Sequence, residues 1–148
     1  MEATKKYKLS NETIEIDGTI LHRIKALKDF SDVKAGDLGG WIEKEENLSQ
    51  IGNAWVYSNA KVYGNAEICG NAKVFGNAQV YGDAQVYGNA WVSGNAHVCG
   101  YAMIGDNARV YGRSKVYDYA IVFGDAFIRD NAVIRGKVQI GSSAQIYG

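Results

Sequence analysis

From Ala54 to Ala144 every sixth residue is alanine in fourteen of sixteen cases, with Ser114 and Val138 the exceptions. Two positions further on, from Val56 to Ile146, all sixteen residues are Val or Ile. A third column, Gly52 to Gly148, is glycine at twelve of seventeen positions, and Asn or Asp usually follows it. The unit Ala-x-Val-Tyr-Gly-Asn thus runs without insertion or deletion from residue 51 to 148. Inside Ala-x-Val-Tyr the alternation has period two, so Ala and Val face one side of a short strand while x and Tyr face the other. Val and Ile suit a strand, Ala fits a narrow interior, and Gly-Asn supplies a corner because both residues tolerate positive φ.

Such short strands and corners cannot build a hairpin sheet. The chain must turn the same way each time and so form a coil. Three hexads close a triangle, which makes the fold all-β: a single-stranded triangular β-helix of about five coils and roughly 25 Å long. Residues 1–50 do not repeat and are expected to form an N-terminal β cap on the β-helix of 51–148. Thr13–Ile16, Asp17-Gly18 and Thr19–Ile24 predict a hairpin around a type I′ turn. Ile14, Ile16, Ile20 and Ile24 are expected to cover the open end of the prism, where an exposed edge invites aggregation. Gly36-Asp-Leu-Gly-Gly40 is read as a turn within the cap, because no GK[ST] follows it to make a phosphate loop. At the other end the chain stops at Gly148 in mid-phase, which leaves the last rung to another copy or to solvent.

The hexads Ile104-Gly-Asp-Asn-Ala-Arg and Ile140-Gly-Ser-Ser-Ala-Gln resemble the hexapeptide repeat of left-handed β-helices. Val-Tyr-Gly-Asn-Ala-x resembles the variant in YdcK-like, polymer-forming-cytoskeletal-type hexapeptide proteins of bacteria and prophages. The stretch from Ala26 to Ser49, Ala-Leu-Lys-Asp-Phe-Ser-Asp-Val-Lys-Ala-Gly-Asp-Leu-Gly-Gly-Trp-Ile-Glu-Lys-Glu-Glu-Asn-Leu-Ser, is also similar to that group. Left-handedness is what the resemblance implies; the general rule for parallel crossovers favours the opposite hand.

Composition narrows the function. The chain carries 18 Gly and no Pro, consistent with one repeated corner role that Pro could not fill. Sixteen basic residues balance sixteen acidic ones, so there is no global field for nucleic acid or an acidic membrane. The cap is slightly acidic and the prism slightly basic, with Arg109, Arg113, Lys115, Arg129, Arg135 and Lys137 mixed among aspartates near the C-terminal rungs. Nucleic acid is not expected as a direct ligand. No apolar run reaches the roughly 18 residues of a membrane span, and the N-terminus lacks a secretory stretch. Cys69 and Cys99 fall on different faces, which fits a reducing bacterial cytoplasm. The acidic cluster Glu43, Glu45, Glu46 reads as a solvated charge run.

The related fold houses zinc carbonic anhydrases, which need three His ligands; this chain has only His22 and His97, so no metal and no cofactor are expected. It also houses acyltransferases, which carry a catalytic His on a loop excursion. The unbroken register leaves no room for that loop. His97 lies at an outward position between Ala96 and Val98, and as a base it would need a partner from another subunit.

Stacking at a spacing of three hexads sorts the outward positions into faces. Tyr101 and Tyr119 replace the consensus Asn on successive rungs, beside Met103, Ile121 and Phe123, with Tyr87 one rung below. Aromatic and Met side chains are what interfaces enrich, so this cluster is the first candidate protein-binding surface. A second candidate face alternates aromatic and cationic residues at rung spacing: Trp55, Lys73, Trp91, Arg109 and Phe127. The leading expectation is a non-catalytic, self-associating, protein-binding β-helix. The resemblance adds a phage or prophage accessory role, such as steric inhibition of a host defence enzyme like a CRISPR nuclease. The first alternative is an acyltransferase with an inter-subunit site using His97, and the second a polymer-forming structural scaffold.

Overall fold

The computed structural model describes residues 5–148. Two long strands, β1 (Tyr7–Ile16) and β2 (Thr19–Ala26), form the hairpin, and Asp17 and Gly18 both take positive φ as a type I′ turn requires. A shorter strand, β3 (Leu38–Ile42), pairs antiparallel with β2 on one side and parallel with Lys61–Val62 on the other. Cap and repeat therefore share one hydrogen-bonded sheet.

From Trp55–Val56 to Gln145–Ile146 the chain forms two-residue strands, paired in parallel with the strands one coil away. Three flat walls result. The cap wall is an eight-stranded sheet running from β1 through Lys61, Gln79, His97 and Lys115 to Val133. The tryptophan wall has six strands, with Trp55, Lys73, Trp91, Arg109, Phe127 and Gln145 in register. The tyrosine wall has five, with Glu67, Gln85, Met103, Ile121 and Gln139 in register. The Ala and Val/Ile columns fill the interior of this β-solenoid as expected. Ser114, the hydroxyl in the alanine column, is fully buried and donates to the carbonyl of Tyr111 at 2.8 Å.

Every corner position from Gly52 to Ser142, at steps of six, has positive φ, including Ser58, Asp106, Asp118 and Asp130. Two of these aspartates offset the strain with a hydrogen bond: the Asp106 carboxylate accepts from the N–H of Gly124, and that of Asp118 from Gly136, each at 3.0 Å. The following Asn column needs no positive φ, contrary to the sequence expectation. Its side chains instead form a ladder, Asn71 to Asn89 to Asn107, with 3.1 and 3.3 Å amide hydrogen bonds.

The cap closes the first coil differently from the sequence reading. Of the four isoleucines expected there, only Ile24 is fully buried; Ile20 is 46% exposed, and Ile14 and Ile16 are half-buried. The register shift in the hairpin between Leu9 and Thr13 and the pairing with β3 turn a different face inward, and Tyr7, Ile24, Ile42 and Leu48 provide the buried plug. Tyr7 donates its hydroxyl hydrogen bond to the carbonyls of Leu48 and Glu45. Lys6 is also buried: its ammonium donates to the carbonyls of Ala54 (2.7 Å) and Gly52 (3.3 Å) and lies 5.0 Å from the Phe30 ring. Burial, then repulsion from Lys28, lowers its pKa to about 8.

Gly39 and Gly40 do not turn. They lie within β3, because a Cβ on Gly39 would sit 2.6 Å from the Val56 carbonyl oxygen and one on Gly40 2.6 Å from that of Ala60. The dipeptide is needed for close approach, and only Gly36 supplies a left-handed corner, with φ +95.

Candidate functional site

The tyrosine wall brings the first candidate cluster together. Tyr101 and Tyr119 stack face to face with ring centroids 5.0 Å apart and an interplanar angle of 3°, and each is 54% exposed. They stand at the corner column that holds Asn65 and Asp83 below and Lys137 above, and the Lys137 ammonium lies 6.0 Å from the Tyr119 centroid. Met103 and Ile121 are adjacent strand partners, half-buried beside the tyrosines. Tyr87 and Phe123 behave differently from freely projecting rings. Each folds over a glycine on the next rung: a Cβ on Gly105 would strike the Tyr87 ring, and one on Gly141 the Phe123 ring. Both rings therefore lie along the wall and flatten it, and Gly105 is buried beneath Tyr87.

The tryptophan wall requires a correction. Trp55 heads this column by register but is only 1% exposed, because the cap lies across it. Phe30 and Tyr7 meet its ring edge-on at 5.2 and 6.1 Å, and Gly39 approaches its edge. Trp55 belongs to the core, and the face begins one coil later. There the alternation holds: the Arg109 guanidinium lies 4.3 Å from the Trp91 ring and 5.6 Å from Phe127, and the Lys73 ammonium 5.9 Å from Trp91. Beneath them a cavity of about 450 Å³ is lined by Asp32, Tyr57, Lys73, Phe75 and Trp91. Tyr57 donates a 2.7 Å hydrogen bond to Asp32, which ties the cap loop to the wall and, as the leading cause, lowers the Asp32 pKa.

His97 sits on the outer side of the cap wall, half-buried, between Gln79 and Lys115. Its Nδ1 lies 3.5 Å from the Tyr81 hydroxyl. Burial, and secondarily the charge of Lys115, lowers its pKa, so the imidazole is neutral at pH 7. Burial, and then the neighbouring Cys99 thiol, raises the Tyr81 pKa to about 12. The repeat spacing places Tyr63, Tyr81, Cys99 and Tyr117 in one outward column, beside the Gln79–His97–Lys115 column, and it is the two columns together that assemble this grouping. Both thiols are free, and Cys69 lies on the tyrosine wall. Among the described residues no group of His, Cys, Asp and Glu is placed to hold a metal ion, and no helix is long and apolar enough to cross a membrane. In the acidic cluster, Glu43 accepts from the Gly64 N–H at 2.8 Å and Glu45 pairs with Lys5 at 2.9 Å.

Residues 84–100, from the tyrosine wall across the tryptophan wall to the His97 strand, match the family described as YdcK Beta solenoid repeat. The chain carries the YdcK-type solenoid repeat. Sixty-one residues are 46% identical to a protein of Escherichia coli (strain K12) named Uncharacterized acetyltransferase YdcK. That likeness covers 36% of this chain and 19% of the relative, so the matched stretch spans about a fifth of the longer protein. Of the candidate residues, Tyr87, Trp91 and His97 fall inside the family match.

Proposed function

We propose that this chain is a protein-binding β-solenoid, a rigid prism whose tyrosine wall docks on a protein surface without itself doing chemistry. The observation that supports this most is the exposed Tyr101/Tyr119 stack, at a corner that is Asn or Asp one and two coils earlier, continuous with Met103 and Ile121. Such a wall combines large contact area with little side-chain freedom to lose on binding. A host-defence enzyme as the docked protein, such as a CRISPR nuclease, draws on the prophage resemblance alone. The test compares proteins captured from a bacterial lysate by the native chain and by a Tyr119→Glu/Ile121→Glu variant. The variant should keep the native melting temperature and lose a specific prey. Identical prey on both baits would sink the reading.

A second reading is acyl transfer at His97, favoured by the relative's printed name and by the neutral imidazole beside Tyr81. With Nδ1 turned to the Tyr81 hydroxyl, Nε2 is left to take a proton from an acceptor amine or hydroxyl. The acceptor then forms a bond to the acetyl carbonyl carbon of a thioester, the C–S bond breaks, and the proton passes to the departing thiolate. A neighbouring copy would close this flat site. His97→Ala should lower acetyl-thioester turnover by about 10²-fold or more. The native rate should also fall on the acid side with a midpoint below 6.5, because the base must be neutral and its pKa is lowered. Equal rates in the native and His97→Ala proteins would exclude it.

A further inference from the structure

We propose that the occupant of the tyrosine wall is a second copy of this chain, packed wall to wall with the two solenoid axes antiparallel. This rests on the reading of that wall as a docking face and goes further by fixing partner and orientation. The wall is self-complementary about a two-fold axis that runs parallel to its strands and passes between the Met103 and Ile121 rungs. Rotation about that axis exchanges the Met103 rung with the Ile121 rung, and the Gln85 rung with the Gln139 rung.

Charge distinguishes this arrangement from others. Asp83 and Lys137 occupy the same corner column, one rung below Tyr101 and one rung above Tyr119 respectively. Both are exposed, and among the described residues neither is ion-paired within its own chain. The rotation sets Asp83 of each copy against Lys137 of the other, so two opposite-charge contacts flank one apolar centre. Within that centre Tyr101 faces Tyr119 of the second copy, and Met103 faces its Ile121. The rotation also sets Tyr87 against Gly141 of the second copy and Phe123 against its Gly105, so the flattened surfaces meet. With the axes parallel instead, the corner column would meet the far edge of the opposite wall, and neither Asp83 nor Lys137 would gain a charged partner. An apolar centre with a charged rim is the ordinary anatomy of an interface, and the opposed charges set its register.

The wall measures roughly 24 by 16 Å from its strand and rung spacings. A contact of that size belongs to the small, dissociable class, so the pair should form and dissolve with concentration.

Mass against concentration, by sedimentation equilibrium on the full chain, tests this. The native protein should pass from monomer to dimer. Asp83→Lys and Lys137→Asp should each weaken association at least tenfold while keeping the native melting temperature, because each sets like charges against each other twice. An equimolar mixture of those two variants should recover the native affinity, since one brings cations and the other carboxylates to the same contacts. The double variant Asp83→Lys/Lys137→Asp should also pair normally with itself. A native protein that stays monomeric at all concentrations overturns the pair but leaves docking on a different protein intact. A dimer that is lost in Ile121→Arg yet unaffected by the charge variants keeps the face and overturns the antiparallel orientation. A mixture that fails to recover overturns it too.

Discussion

Trp55→Ala is expected to lower the unfolding free energy by about 3–5 kcal/mol, the range for truncating a buried aromatic. The indole is enclosed by Tyr7, Phe30 and Gly39 where the cap meets the first coil, so its removal opens a cavity at the joint that holds the two together. Trp91→Ala is the matched control. It lies on the same wall in the same register but is half-buried between Lys73 and Arg109, with solvent beyond. Urea titrations followed by circular dichroism should show the first variant shifted far more than the second. Equal shifts would mean that the cap does not close over Trp55.

Gly40→Ala is the second large effect, about 1–3 kcal/mol or more, despite adding a single methyl group. The new Cβ would lie 2.6 Å from the carbonyl oxygen of Ala60 and 2.7 Å from Cγ1 of Val56. That oxygen is the acceptor for the Trp41 N–H, at 3.0 Å, so relief of the clash pulls β3 away from the first full coil. Hydrogen exchange should report the loss as faster exchange at Trp41, with Val98 deep in the prism unchanged. Leu38→Ala, at an exposed position of the same strand, should leave both unaltered.

Much of this architecture is legible in the sequence because a hexad repeat writes each structural role at a fixed phase. The Val/Ile column marks the interior, the Gly column marks the left-handed corner, and residues such as Met103 and Ile121 meet because the coil has constant length. What the phase does not carry is what lies outside the prism. Trp55 occupies an outward position by every rule of the repeat and is buried because a non-repeating segment covers it. Ile14, Ile16 and Ile20 stay outside the plug for the complementary reason: alternation separates two faces without saying which one another element will cover. Gly39-Gly40 reads as part of a turn, whereas the structure uses the lack of side chains to bring two backbones together. Spacing alone puts Tyr101, Met103, Tyr119 and Ile121 on one wall, but the folding of Tyr87 and Phe123 over glycines is set by the neighbour one coil above.

The stacking of each strand only on the strands one coil away has a mechanical consequence. Beyond the cap, each described strand hydrogen-bonds only to strands one coil away, so cohesion is close to a sum of nearest-neighbour terms, as in a one-dimensional crystal. Such an object has a ground floor but no intrinsic height. Adding or removing a whole coil would preserve every interior contact type and move the remaining surface features up or down like storeys of one building. The altitude of Tyr101 and Tyr119 above the cap is then a dimension set by counting turns, adjustable in steps of about 4.8 Å without redesigning the core.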